Sequence, residues 1–214
     1  MSFLPLSNSF LAGSLLAALF LWKVWALPVV ICIVIFVIAF FWFELMDCNF
    51  HFVSSFWLFI LSEVMAFGSI LFCCFYFDTQ NSISLSSPLE LPFLGCFILL
   101  GSSVTITGFH HLMPWSYSWI LISLTVILGV SFVFLQLAEL NEISLSITDS
   151  SFHASSFCTV GLHFSHVLVG VVGMITLLII GVQASGEYRC TLITWYWHFV
   201  DYIWLFVYTI VYVC

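Results

Sequence analysis

Apolar residues along this chain fall in long unbroken runs, separated by short polar punctuation. They do not alternate with polar residues over ten-residue stretches, as the strands of a membrane barrel would. Only helices and closed barrels satisfy every backbone group inside hydrocarbon, so the runs predict membrane-spanning helices. A spanning helix takes roughly 20 mostly apolar residues. The runs that approach or exceed that length cover about residues 9–25, 28–46, 52–77, 91–113, 117–140, 152–183 and 191–213. The expectation is therefore an all-α, polytopic membrane helix bundle, a single transmembrane domain over 1–214 with seven transmembrane helices and no internal repeat.

The punctuation sets the boundaries. The first span closes on Trp22, Lys23 and Trp25, residues that anchor at an interface. No basic residue precedes it and further spans follow at once, so it reads as a span and not as a signal peptide. Pro28 opens the second span, and Glu44 and Asp47 mark its exit. The turn between the two is so short that one long kinked helix is the alternative. Residues 78–88, polar, Ser-rich and closed by Pro88, form the clearest loop. Pro114 is expected to stop the fourth span, and a second polar loop, residues 141–151, carries Glu142 and Asp149. The sixth span is longer than a bilayer needs and should tilt or project. Residues 185–190 read as a short turn before the last span.

Composition moves the picture from apolar segments to a chain with almost no water-soluble part. Hydrophobic residues make up 64% of 214 and charged residues only 6%, with a mean hydropathy of +1.25. A soluble domain has about a quarter of its residues charged, so the outside of this bundle must face lipid. Net charge is −8 because Lys23 and Arg189 are the only lysine and arginine, which argues against a nucleic-acid partner. Placing Arg189 on the inner side puts the N-terminus inside and the C-terminus outside across seven spans. None of the eight cysteines forms a C-x-x-C pair, and most sit inside apolar runs, where cysteine acts as a small hydrophobe. Neither a disulfide framework nor a zinc site is expected.

Candidate chemistry lies with the polar residues inside the runs. Glu63 has about ten apolar residues on either side near the middle of the third span. An acid at that depth must be protonated, paired or turned to protein. It is either a proton-handling or interface carboxyl, or a neutral acid hydrogen-bonded to a neighbouring helix. In the sixth span His163, His166, Gly170 and Gly173 lie on one helical side, a polar, small-residue stripe suited to packing against protein. His198 and Asp201 are three apart in the seventh, where a carboxylate one turn from an imidazole can fix its tautomer. Ser103 and Thr107 lead to His110 and His111 in the fourth span, and Gln136 and Glu139 close the fifth. Axial haem ligation would need imidazoles from facing helices at matched depth, and most of the histidines lie near span ends. Helix–helix hydrogen bonding is the plainer use for them.

Several segments together resemble subunit III of cytochrome c oxidase and the related subunit of other haem–copper oxidases. Trp195-Tyr-Trp-His-Phe-Val-Asp-Tyr-Ile-Trp-Leu-Phe is similar to that family's last helix, Y-W-H-F-V-D-x-x-W-L-F. Leu162-His163-Phe-Ser-His166-Val resembles F-H-x-x-H-V, and Ile60-Leu-Ser-Glu63-Val resembles I-x-S-E-V. Pro88-Leu-Glu-Leu-Pro92, Gly108-Phe-His110-His111 and Gln136-Leu-Ala-Glu139 fall in the family's order. The resemblance implies a seven-helix fold in which a two-helix unit and a five-helix unit enclose a lipid-filled cleft. It also implies a non-redox core subunit that has no catalytic centre, metal or cofactor of its own. Haem and copper are then expected in partner subunits, with the catalytic subunit, other oxidase subunits and phospholipids as partners, and the mitochondrial inner membrane as location (a bacterial inner membrane being the alternative). Glu63 becomes a buried carboxyl linked to proton uptake. His110, His111, Gln136, Glu139, His163, His166, His198 and Asp201 become structural, subunit or lipid contacts. The arginine usual after the family's second helix is absent from Trp42-Phe-Glu-Leu-Met-Asp47, so headgroup contacts do not carry over. The competing readings are the equivalent subunit of a quinol oxidase, a haem-binding membrane cytochrome and a proton-coupled transporter.

Overall fold

A computed structural model of the chain describes residues 9–11, 13–14, 28, 31–36, 53–78 and 84–213. The chain divides into two compact units, Met1–His51 and Phe52–Cys214. In the first, residues 9–11, 13–14, 28 and 31–36 are helical, and the rest of the spans expected at 9–25 and 28–46 lies outside the described residues.

The second unit is a helix bundle. Its elements are α1 (Val53–Phe77), α2 (Leu91–His111), α3 (Ser118–Glu142), α4 (Ser151–Ile180), the short α5 (Val182–Ser185) and α6 (Glu187–Tyr208). A π-helical turn, Thr209–Val213, follows α6, and no strand occurs among the described residues.

Local sequence sets the ends. Pro92 sits in the first turn of α2, where its missing N–H removes no helical bond. Ser150 caps α4 by accepting from the His153 backbone N–H at 3.0 Å. Gly181 (φ +92°) ends α4 and Gly186 (φ +80°) precedes α6, both in backbone territory that favours glycine. Several boundaries lie two to four residues from expectation, among them the ends of the fifth span at Glu142 and of the sixth at Ile180. The fourth span stops at His111, before Pro114, because the Leu112 N–H is shared between the carbonyls of Gly108 and Phe109 and the turn tightens there. The last helix begins at Glu187, so most of the expected turn at 185–190 is its first turn, and Gly181 and Gly186 make the breaks on either side of α5.

α6 is the hub, packed against α1, α2 and α4, while α2–α3, α3–α4 and α1–α4 complete the set of neighbours. Two fully buried tryptophans of α6 occupy the centre, Trp197 and Trp204. Glycines on three helices make room for them. A Cβ on Gly129 of α3 would stand 2.9 Å from the Trp197 ring, and one on Gly170 of α4 would stand 2.7 Å from it. On α2, a Cβ on Gly95 would meet Phe132 at 3.0 Å and Trp204 at 3.4 Å. Close backbone approach at small residues is the usual basis of helix packing in lipid, where apolar burial gives no preference for protein over acyl chain.

Length and composition mark α1 to α4 as able to cross a membrane, with α1 the least enclosed of the four. α6 has a more polar sequence, carrying Tyr196, His198, Asp201 and Tyr202 among its tryptophans. A helix enclosed by others needs less hydropathy than one facing acyl chains, so the central helix is the less apolar one.

The packing makes a direct prediction. Gly170→Ala should destabilise the protein by about 1–3 kcal/mol, because a rigid indole cannot yield to the new methyl. Gly161, which has nothing within 4 Å of its Cβ position, is the control. Gly161→Ala should be neutral or stabilising by up to about 1 kcal/mol through helix propensity. Thermal unfolding midpoints in detergent would distinguish the two.

Candidate functional site

The polar side chains of the bundle occur as clasps between helices at different depths. At mid-span, α1 meets α4 through Glu63 and His166, with Glu63 Oε2 3.1 Å from His166 Nε2. The other ring nitrogen of His166 lies 2.8 Å from the Leu162 carbonyl, which can only accept, so Nδ1 carries a hydrogen. It follows that the Glu63–His166 bond holds one proton. Either a neutral carboxyl donates to a bare Nε2, or a doubly protonated ring donates to a carboxylate, and the pair is net neutral in both forms. This clasp is also partly open, with the Glu63 side chain 23% and that of His166 12% exposed. The Tyr196 hydroxyl of α6 donates to the His166 backbone carbonyl at 3.2 Å, tying the central helix to the same point.

His163 serves a different neighbour. It is fully buried, lies against Phe132 and Trp204, and its Nε2 donates to the Val200 carbonyl of α6 at 3.2 Å. The two histidines expected on one side of the sixth span therefore diverge, one to α6 and one to α1. Their glycine companions do face α6, at Trp197 and Ile193.

His198 and Asp201 do not pair with each other. Both reach hydroxyls of α2: His198 Nδ1 lies 3.0 Å from Ser103 and its Nε2 3.3 Å from Thr107. The Thr107 hydroxyl donates to the Ser103 carbonyl. A consistent set has Ser103 donating to Nδ1 and Nε2–H donating to Thr107, so both nitrogens are used. The Ser102 hydroxyl hydrogen is shared between the Leu99 carbonyl of its own helix at 2.7 Å and Asp201 Oδ1 at 3.4 Å, while Asp201 Oδ2 is buried without a partner. The Ser102 oxygen in turn accepts from the Trp197 indole N–H at 2.9 Å. This bond ties the Trp197 indole to α2. Ser102 was not singled out from sequence. Its signal was present in its spacing from Ile106 and Phe109, one notch from the Ser103–Thr107 stripe and on the buried side of the helix.

The remaining sites lie at opposite ends of the unit. At one end the Glu139 carboxyl is fully buried. It accepts from Gln136 Nε2 at 2.6 Å and from the Ser86 hydroxyl at 2.7 Å. Tyr208 donates to the Pro88 carbonyl at 3.0 Å, so the loop before α2 is held by α3 and α6 together. Ser86 lies in the polar loop expected at 78–88, and nothing in a Ser-rich stretch marks which serine turns inward. At the other end His110 Nε2 lies 3.3 Å from the Thr191 hydroxyl, and His111 is exposed with its ring edge-on to His110. They line a cavity of about 390 Å³ with Pro114, Gln183, Glu187 and Cys190. Among the described residues no group of three histidine, cysteine or acidic side chains is placed to hold a metal ion.

The clasps distribute into bonds that join helices, and the Glu63–His166 bond combines a movable proton with partial access from outside. A double-mutant cycle on Glu63→Ala and His166→Ala should give a coupling of about 0.6–1.7 kcal/mol, the range for hydrogen bonds between membrane helices. Additive losses in unfolding free energy would show that the two side chains do not interact.

Comparison with known proteins gives a consistent result. The model of the family described as cytochrome c oxidase subunit III matches residues 27–214. Among curated relatives, cytochrome c oxidase subunit 3 of Loxodonta africana, Locusta migratoria and Drosophila melanogaster are each 35% identical to this chain, over 72% of it and 66% of the relative. The chain thus spans just under two thirds of the length of the relatives it matches.

Proposed function

This chain belongs to the cytochrome c oxidase subunit III family, and from that premise we propose that it is a non-redox subunit of a cytochrome c oxidase. In this reading it is a multi-pass protein of the mitochondrial inner membrane that also binds phospholipid. The catalytic subunit beside it carries haem and copper, reduces oxygen and translocates protons.

The observation that carries the reading is how the chain's own donors are engaged. Both nitrogens of His166 and both of His198, and Nε2 of His163, are bonded to residues of this chain. Imidazoles so engaged hold helices together, as expected of a subunit that supports a redox centre without ligating it. The Glu63–His166 pair is the exception in function. A bond that carries one proton and is partly open can take up and return that proton without leaving a net charge in the membrane, which suits a group beside a proton-uptake path.

Two experiments test this. Purified from native membrane, the chain should bring a haem–copper catalytic subunit with it, and its recovery without one would contradict the assignment. In the assembled oxidase, Glu63→Gln should preserve assembly, since an amide N–H can still donate to His166 Nε2. It should also shorten the number of turnovers before inactivation. Unchanged turnover and unchanged inactivation would remove Glu63 from proton handling.

A further inference from the structure

A carboxyl buried at mid-span without a cation beside it keeps its proton, and Asp201 is such a group. It is 3% exposed. Arg189, the one lysine or arginine among the described residues, lies twelve residues away along α6, about 18 Å. The elements packed around Asp201 supply no counter-charge. α2 presents the hydroxyls of Ser102 and Ser103. His163 of α4 gives Nε2 to the Val200 carbonyl, and Glu63 of α1 is bound to His166. His198, on its own helix, is turned to α2. An ionised carboxylate in such a place is costly, so the acid is neutral.

Its proton nevertheless has a way out. Oδ1 has only a share of the Ser102 hydroxyl hydrogen and Oδ2 is buried without a partner, so a hydrogen on this acid meets no fixed acceptor. Ser103 is the second hydroxyl against the carboxyl. From Ser103 the polar contacts continue toward the end of α2. The Ser103 hydroxyl lies 3.0 Å from His198 Nδ1, and Nε2 of the same ring lies 3.3 Å from Thr107. The two hydroxyls are one turn apart on α2, about 6 Å, and the imidazole spans the gap with one nitrogen at each. Thr107 is exposed and only four residues from the helix end at His111. Next along α2 comes His110, close enough to His198 for their charges to interact. His110 lines the cavity of about 390 Å³ with His111, Gln183 and Glu187. Each member of the series Asp201, Ser103, His198, Thr107 can both donate and accept a hydrogen bond, the property that passing a proton along it needs.

We propose that Asp201 is a proton-exchanging acid of this chain, reached from the membrane face where α2 ends by way of Thr107, His198 and Ser103. The site is distinct from the Glu63–His166 pair, which joins α1 to α4, and it does not depend on the assignment to an oxidase. In the outward step Asp201 gives its hydrogen to the Ser103 oxygen while Ser103 passes its own to His198 Nδ1. The Nε2 hydrogen then leaves through Thr107 to water. One proton departs, the ring is left as its other neutral tautomer, and the carboxylate that forms takes the Ser102 hydroxyl hydrogen for itself. The inward step reverses each transfer.

The test is infrared spectroscopy of the native complex purified from membrane, with and without substitutions in this chain. Asp201→Asn should remove one carbonyl band of a protonated carboxylic acid. In the native protein that band should move to lower frequency when light water is replaced by heavy water. His198→Phe keeps a ring stacked on Tyr202 and removes both nitrogens. It should slow the shift roughly tenfold or more, as expected when a positioned proton-transfer group is lost. Thr107→Val should slow it too and Thr107→Ser should restore it, while Thr176→Val, off the route on α4, should leave it unchanged. If His198→Phe fails to assemble, the Thr107 variants decide the question. The absence of an Asp201-dependent acid band would overturn the proposal, as would a shift as fast in His198→Phe and Thr107→Val as in the native protein.

Discussion

The bundle depends on the seating of one indole. Trp197 enters the space between α3 and α4 because Gly129 and Gly170 leave it open, and a Cβ at either position would stand within 3 Å of the ring. Seated there, the indole N–H reaches Ser102 on α2, so a single side chain of α6 engages three other helices. In lipid this kind of fit is decisive, because apolar side chains gain nothing by leaving acyl chains for one another. Shape and internal hydrogen bonds remain as the forces that choose a partner. Trp204 repeats the arrangement one and a half to two turns further on, over Gly95 and against His163.

Once α6 is central, the placement of the polar residues follows. A helix surrounded by protein can carry Asp201, His198 and Tyr196, each of which finds a partner on a neighbouring helix. The outward-facing hydroxyls of the outer helices bond back to carbonyls of their own helix instead. The Glu63–His166 bond occupies the intermediate case, on α1, the least enclosed helix, where it joins the bundle and still meets its surroundings. On the proposed function, structure and function diverge at that pair: most clasps hold, while this one would also exchange a proton.

The helical class and all five long helices of the second unit could be read from hydropathy, within a few residues at each end. The central role of α6 could not. Its tryptophans, tyrosines and aspartate lower its hydropathy for the same reason that it sits inside, so an apolarity scale ranks it last among the long helices. Polar residues inside apolar runs were legible as candidates, but their pairing was not. His198 and Asp201 look like partners at three residues' spacing, yet each faces α2, because residues 60° apart on one helix can meet different hydroxyls on the next. Glu139 with Gln136 is the converse, a same-helix pair that forms, completed by Ser86 from a loop that sequence alone makes look solvated. The resemblance to subunit III was carried by six short motifs, and the family match over residues 27–214 extends it through most of the chain.

The proposed function has His163, His166 and His198 join helices of this chain, with redox chemistry left to partner subunits. The most direct measurement is the optical spectrum and metal content of this chain after gentle detergent splitting of the native complex. The account predicts that haem and copper leave with the partner subunits and that the isolated chain has only the near-ultraviolet absorption of its aromatic residues. A stoichiometric haem band, or bound copper, on the isolated chain would contradict it.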